Sequence, residues 1–264
     1  MADRDTLESL GRLVDIMARL RAPGGCPWDR EQTHESLRPY LVEEAYEVLE
    51  AIDGGDVAAL RDELGDVLLQ VLFHAEIAAE DGRFRLADVA SAIADKLERR
   101  HPHVFGDVQV RDADEVVRNW RRIKAEERRA AGADPGVLAS VPPGQPALAR
   151  AQQIGEKLSQ VGFDWPDLAG VLAKLDEERH ELAGAIGTGD REAAGRELGD
   201  LLLTLTSVAR HLELDAEMAL RDATSRLARR VAHVEAAARA ASRSLGQLDA
   251  AERDRLWEEA KAAR

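Results

Sequence analysis

Leu41-Val42-Glu43-Glu44-Ala45-Tyr46-Glu47 decides the fold, because it returns 134 positions downstream as Leu175-Asp176-Glu177-Glu178-Arg179-His180-Glu181. The same offset, without a gap, carries Asp56 to Asp190, Glu63 to Glu197, Leu64 to Leu198, Gly65 to Gly199 and Asp66 to Asp200. One unit is therefore encoded twice, and the architecture is a tandem repeat. The register then drifts. Leu97-Glu98-Arg99-Arg100 matches Leu227-Ala228-Arg229-Arg230 at an offset of 130, and Trp120 with Lys124 matches Trp257 with Lys261 at 137. Small length changes in loops account for this.

Around the quoted stretch, Leu41, Ala45, Val48, Leu49 and Ile52 form one helical stripe, and Leu60, Leu64, Val67, Leu68 and Val71 form a second. Asp53-Gly54-Gly55-Asp56 stops the first helix and caps the next, and Thr188-Gly189-Asp190 does so in the second copy. So short a connection makes the two helices antiparallel neighbours, as in a hairpin or bundle. Ala, Leu, Glu and Arg dominate elsewhere and β-branched clusters are sparse, so the expected class is all-α throughout. Gly132-Ala133-Asp134-Pro135-Gly136 and Val141-Pro142-Pro143-Gly144-Gln145-Pro146 cannot continue a helix. The expected organisation is a first helical domain at 1–131, a Pro/Gly linker at 132–146 and a second domain at 147–264.

The 264 residues are 45% hydrophobic and 33% charged, a globular composition. Fifty acids against 36 lysines and arginines give a net charge of −14, the wrong sign for a protein that neutralises the phosphates of DNA or RNA. No nucleic-acid polymer is expected as a partner. Cys26 is the single cysteine, so neither an intrachain disulfide nor a thiolate metal cage can form. Apolar runs such as Val67 to Phe73 are too short for a membrane span. Met1-Ala2-Asp3-Arg4-Asp5 leads into an amphipathic pattern instead of a signal core, so the cytoplasm is the expected compartment.

The acids are placed as tightly as the leucines. Glu43 and Glu47 are four apart, Glu44 and Glu47 three apart, and on the next helix Glu63 and Asp66 are three apart. Folding the hairpin brings carboxylates from both helices to one groove. Like charges about 4 Å apart repel by about 1 kcal/mol in water and about 4 at an effective dielectric near 20, so such a cluster calls for a cation. Hard oxygen ligands without cysteine suit Mg²⁺, or Mn²⁺ in its place, and Mg²⁺ usually keeps phosphates and water in its shell. A solvated helix face constrains charge but not position, so the doubled pattern favours a metal-phosphate site over simple solvation. The mid-helix glycines Gly65 and Gly199 ask for a reason, such as close helix approach or ligand clearance.

A metal-phosphate site needs cationic side chains as well. Lys124 and Lys261 each follow a tryptophan, Trp120 or Trp257, by four residues. Either the ring stacks on a base beside a phosphate-binding lysine, or it is a core tryptophan with a solvated lysine. Arg99 with Arg100 and Arg229 with Arg230 are further candidates. His101 and His103 flank Pro102 and read as structural, while Trp28 and Trp165 lie near the entry to each unit as candidate core anchors.

Leu-x-Glu-Glu-x-x-Glu followed by Asp-Glu-Leu-Gly-Asp-Val resembles the MazG family of nucleoside triphosphate pyrophosphohydrolases. Gly25-Cys26-Pro27-Trp28-Asp29 and Arg99-Arg100-His101-Pro102-His103-Val104-Phe105-Gly106-Asp107 are similar to the upstream half of its two-domain form. The resemblance implies an all-α bundle in each half, a dimer, and Mg²⁺-dependent cleavage of nucleoside triphosphates to monophosphate and pyrophosphate. It implies metal binding by Glu44, Glu47, Glu63 and Asp66, and by Glu178, Glu181, Glu197 and Asp200. Glu43 and Glu177 become outer members that orient or activate water. Breadth over ribo- and deoxynucleotides, damaged ones included, follows from the same resemblance. The downstream half departs from the pattern where Thr224-Ser225-Arg226 replaces an Asn-x-Lys segment and Ser207 an asparagine, whereas the upstream half keeps Asp95-Lys96. Lys96 and Arg226 therefore join the candidate substrate contacts.

Two other classes compete. A non-catalytic acidic helical scaffold for a basic partner explains the charge and the repeat, but not the fixed position of each acid. A ferritin-like di-metal oxidase needs Glu-x-x-His on two helices, and only Glu177 with His180 fits, since Tyr46 stands at the equivalent first-half position.

Overall fold

The computed structural model describes residues 3–130, 132 and 136–262, the side chain of Arg128 excepted. Among them every regular element is helical. Ala133, Asp134 and Pro135 of the expected linker, and Met1 and Ala2 at the start, lie outside the described residues. The chain divides into two units, Met1–Glu127 and Arg128–Arg264. No described helix is long and apolar enough to cross a membrane.

The first unit holds α1 (Arg4–Arg21), α2 (Pro27–Glu31), α3 (Arg38–Gly54), α4 (Val57–Glu80), α5 (Leu86–Arg100) and α6 (Pro102–Phe105), with α7 (Ala113–Ala130) running past its boundary. The hairpin α3–α4 is made by its turn. Gly55 adopts a left-handed φ of 65°, and the N–H groups of Gly55 and Asp56 return to the carbonyls of Ile52 and Ala51, each at 3.1 Å. That closes α3 in a Schellman motif, which a side chain at Gly55 would disfavour. Asp56 then accepts from the N–H groups of Ala58 and Ala59, both at 3.0 Å, and opens α4. A cap of this kind is worth about 1 kcal/mol.

Met17, Leu37, Leu72, Phe73 and Ile77 form the core of this unit, joining α1, the start of α3 and the second half of α4. Beside it, the buried Arg21 meets both oxygens of Glu80 at 2.8 Å and donates to the carbonyls of Asp29 and Gln32. One guanidinium thus ties α1 to α4 and to the chain around α2.

The second unit holds α8 (Ala147–Ser159), α9 (Leu168–Thr188), α10 (Arg191–His211), α11 (Ala216–Ala240), a 3₁₀ turn at Leu245–Gln247 and α12 (Ala250–Ala262). The hairpin α9–α10 repeats the same turn chemistry, with Gly189 at φ 72° and Asp190 accepting from Glu192 at 3.1 Å and Ala193 at 3.0 Å. Helix α10 packs on α9 and α8, while α11 packs on α12 and α8. Val234, Ala238, Leu248 and Leu256, with Trp257 against them, form a second core.

The apolar stripes are only partly buried. Leu41, Ile52, Leu64 and Val71 are exposed, as are Leu172, Leu198, Leu202 and Leu205 in the second unit. The hairpin helices turn Leu72 and Phe73 inward, and a helix with apolar residues over more than one stripe keeps a second apolar face. Sequence periodicity identifies apolar residues without saying what covers them.

Three ion pairs fasten helix ends. Arg99 and Arg100 converge on Glu127 at 2.8 and 2.6 Å, and Arg243 holds Glu252 at 2.6 Å. Hydrogen bonds from Arg100 and then Arg99 lower the Glu127 carboxyl to about 2, and those from Arg243 and the Asp249 backbone lower Glu252 to about 2. A depressed folded value contributes stability above the ordinary carboxylate range, and it is lost as pH falls from about 4.5 through about 2. Protection factors of the α7 amides, taken relative to the intrinsic exchange rate at each pH, are therefore expected to fall over that window. Glu127→Gln should show the lower protection already at neutral pH; α7 protection indifferent to both changes would refute the lock.

Candidate active site

The turns Gly55-Asp56 and Gly189-Asp190 set the register that brings acids on neighbouring helices together. Carboxylate oxygens of Glu44, Glu63 and Asp66 lie within 4.8 Å of one another, and so do those of Glu178, Glu197 and Asp200. Each set draws one acid from the first helix of its hairpin and two from the second. Glu47 and Glu181, exposed one turn further along, are not members of these triads. Glu47 nevertheless interacts with both Glu44 and Glu63.

In the first unit the carboxyls of Glu44 and Glu63 are both raised above the ordinary range. Burial is the leading cause for each. For Glu44 it is followed by hydrogen bonding to Glu47 and repulsion by Asp66, and for Glu63 by repulsion from Glu47 and Asp66. In the second unit Glu178 is buried, with its side chain 6% exposed. Lys174 reaches Glu178 and Glu177, each at 2.7 Å, and hydrogen bonds to Glu177 and then Glu178 raise the ammonium's own pKa. The Oε2 of Glu178 is buried without a hydrogen-bond partner. A buried orphan carboxylate oxygen in a set of hard oxygen donors fits a divalent cation such as Mg²⁺ or Mn²⁺.

Gly65 and Gly199 follow the middle acid of each set, and a Cβ at either would meet nothing within 4 Å. Close approach of the paired helix is therefore not their reason. Gly199→Ala should raise the melting stability by up to about 1 kcal/mol through helix propensity. If the glycine keeps room for a ligand, the same variant lowers turnover; a more stable and fully active protein would show that the room is unused.

A cavity of about 520 Å³ opens between α8, the 160–166 segment and α10. Ile154, Leu158, Phe163, Trp165, Leu203 and Ser207 are among its lining residues. At its edge Arg210 grips Asp164 through two hydrogen bonds of 2.7 and 2.6 Å. Ser207 lies two helical turns beyond Asp200 on the same face of α10, about 10 Å along the axis. In the first unit the residue at Ser207's repeat position is Phe73, which is buried and stands edge-on to Trp28 at 6.4 Å. The repeat position thus carries a buried ring in one unit and a small side chain in the wall of a cavity in the other. In the sequence Ser207 stands out only as a departure from a pattern; the cavity depends on α8 and the 160–166 segment, which no periodicity links to α10.

The basic candidates divide. Arg99 and Arg100 are engaged by Glu127, Lys261 pairs with Glu258 at 2.6 Å, and the Arg230 guanidinium lies 5.8 Å from the Trp257 ring centre. Trp257 packs on the second core and Trp120 meets His101 edge-on at 5.0 Å, so both rings have structural contacts. Lys96, Lys124, Arg226 and Arg229 are exposed. Glu43 is exposed, and Glu177 is the surface partner of Lys174.

Fold and site together define a class: an all-α tandem repeat in which each helical hairpin presents a carboxylate triad suited to a divalent ion. The MazG nucleotide pyrophosphohydrolase domain matches residues 32–105 and 168–235, one segment over each hairpin. The chain is 43% identical over 260 residues to a nucleoside triphosphate pyrophosphohydrolase of Escherichia coli strain K12, covering 97% of this chain and 98% of that protein. It is 45% identical over 249 residues to the nucleoside triphosphate pyrophosphohydrolase/pyrophosphatase MazG of Thermotoga maritima, covering 94% of each. The crystal structure of a MazG-related protein from Thermotoga maritima aligns with 43% of this chain and 97% of its own, at 31% identity and a TM-score of 0.38. The chain belongs to the MazG nucleotide pyrophosphohydrolase family. It is accordingly an enzyme, a hydrolase of phosphoanhydride bonds.

Proposed function

We propose that the protein hydrolyses nucleoside triphosphates, ribo- and deoxy- and damaged ones among them, to nucleoside monophosphate and pyrophosphate with Mg²⁺ as cofactor. The observation that carries this reading is the lined cavity about two turns along α10 from the Glu178–Glu197–Asp200 triad. The triad would hold an ion at the phosphate end of the substrate, and the cavity, with Trp165 and Phe163 in its wall, takes the base. The names of the relatives, which act on nucleoside triphosphates, support the same substrate class.

In this reading Glu178, Glu181, Glu197 and Asp200 hold the ion in the second half, and Glu44, Glu47, Glu63 and Asp66 in the first. When bound, the ion offsets the carboxylate charge and polarises the phosphate oxygens. Glu177 orients the attacking water and accepts its proton, and Glu43 is its counterpart by repeat position in the first half. The candidate cations Lys96, Arg99, Arg100, Lys124, Arg226, Arg229, Arg230 and Lys261, with Trp120 and Trp257, lie outside the triads and serve the outer triphosphate or the fold. The buried Phe73 stands at Ser207's repeat position in the first half, so we assign substrate turnover to the second half and ion binding to both. Residues 132–146 are taken as the connector between a first domain at 1–131 and a second at 147–264.

The uncovered leucines on both hairpins support a homodimer that buries them. The unpaired Cys26 fits a reducing cytoplasm.

A panel of nucleotides incubated with Mg²⁺, followed by product chromatography, tests the reading. Monophosphate and pyrophosphate are expected. Diphosphate and phosphate, or no reaction, would overturn it. Water labelled with oxygen-18 then places the attack at the α-phosphorus if the label enters the monophosphate, or at the β-phosphorus if it enters pyrophosphate.

A further inference from the structure

The two acidic triads differ in one neighbour. In the second unit Lys174 stands one turn before Glu178 and touches both Glu177 and Glu178 at 2.7 Å, with two-thirds of its side chain covered. Its repeat position in the first unit is Tyr40, whose ring stands edge-on to Trp28 at 6.0 Å. Among the described residues no lysine or arginine forms an ion pair with Glu43, Glu44, Glu47, Glu63 or Asp66. One cluster carries a tethered cation and the other does not.

We infer that Lys174 is a built-in cation that competes with the divalent ion for the second triad, so that free ions load the first triad more tightly. This rests on the reading that both triads hold divalent ions. The ammonium is bonded to one oxygen of Glu178 and leaves the other, buried oxygen without a partner. The carboxylate is therefore half satisfied. It retains attraction for a second cation, yet any ion drawn to it meets the ammonium's positive charge or must displace it. At the first triad the entering ion meets acids alone, and the whole of their mutual repulsion is relieved by its arrival. The second triad gives up part of that gain, because the lysine has already taken it. At low free-ion concentration the protein accordingly holds an ion in the first half while Lys174 guards the second.

Titration of the full chain with Mn²⁺ alone, read by electron paramagnetic resonance of the free ion, tests this without any turnover. Two classes of site are expected, the tighter lost in Glu63→Gln and the weaker lost in Glu197→Gln. Lys174→Met keeps the apolar stem and should tighten the weaker class by about tenfold, the scale of one lost charge contact. Tyr40→Lys, on an exposed turn of α3, should weaken the tighter class by a similar factor and decides the matter alone if Lys174→Met does not fold. Equal affinities in the parent protein, or classes that ignore the substitution, would overturn the inference while leaving the metal reading intact. Absence of Mn²⁺ binding at both triads would overturn both.

Discussion

Glu178→Gln is expected to lower kcat for nucleoside triphosphate hydrolysis by a hundred- to a thousandfold, on the order seen when one charge-stabilising group leaves an active site. Glu178 is the acid that the fold has committed most deeply. It is buried, one oxygen is bound by Lys174 and the other has no hydrogen-bond partner. The amide is isosteric but carries no charge, and it presents a donor where a cation should sit. Lys174 keeps Glu177 as a partner in the variant, so the local helix is preserved. The corresponding Glu44→Gln in the first half should cost far less turnover, since the proposed base site lies in the second unit and the buried Phe73 stands at Ser207's repeat position in the first. Steady-state kinetics of both variants at saturating Mg²⁺ check the pair of expectations. A Glu178→Gln enzyme with more than a tenth of the parent kcat would contradict the assignment, and so would equal losses in the two variants.

The second large effect concerns Ser207. Replacing it with phenylalanine installs in the second repeat the residue that the first repeat already carries at that place. The ring is expected to fill the cavity between Leu158, Trp165 and Leu203 and to raise KM or the nucleotide Kd by about a hundredfold or more, through loss of buried contact with the base. The triad is two turns away, so Mn²⁺ binding without nucleotide should not change. The reciprocal Phe73→Ser empties a well-packed core site, next to Leu72 and Ile77, and should destabilise the first unit by about 4 kcal/mol. Calorimetric nucleotide binding with a parallel Mn²⁺ titration separates the two halves of the claim. Unaltered nucleotide affinity in Ser207→Phe would place the base elsewhere.

Local chemistry carried much of the fold into the sequence. Gly55-Asp56 and Gly189-Asp190 need only their own backbone and side-chain bonds to end one helix and begin the next, so the hairpins are legible without any long-range knowledge. Once two helices are antiparallel across a short turn, helical spacing brings Glu44, Glu63 and Asp66 to one groove, and the repeat brings Glu178, Glu197 and Asp200 to another. Spacing could not say which acids of each set already have oxygens within 4.8 Å of one another, because side-chain direction along a helix turn is set by neighbours. It could not say that Arg99 and Arg100 would be captured by Glu127, 28 and 27 residues further on. Lys174 was visible as one of five lysines, but its role depends on the burial of Glu178. The exposed leucines mark the same boundary, since periodicity names an apolar face and only packing shows whether the chain itself covers it.

The central claim is that paired carboxylates of each hairpin hold a divalent ion, and that the ion of the second hairpin serves to cleave a nucleotide's phosphate chain. Crystals grown with Mn²⁺ and a non-hydrolysable nucleoside triphosphate test it most directly. The account predicts anomalous density coordinated by Glu178, Glu197 and Asp200, with phosphate oxygens on the same ion and the base beside Trp165. Bound nucleotide with no metal at that triad, or a triphosphate seated away from it, would contradict the account.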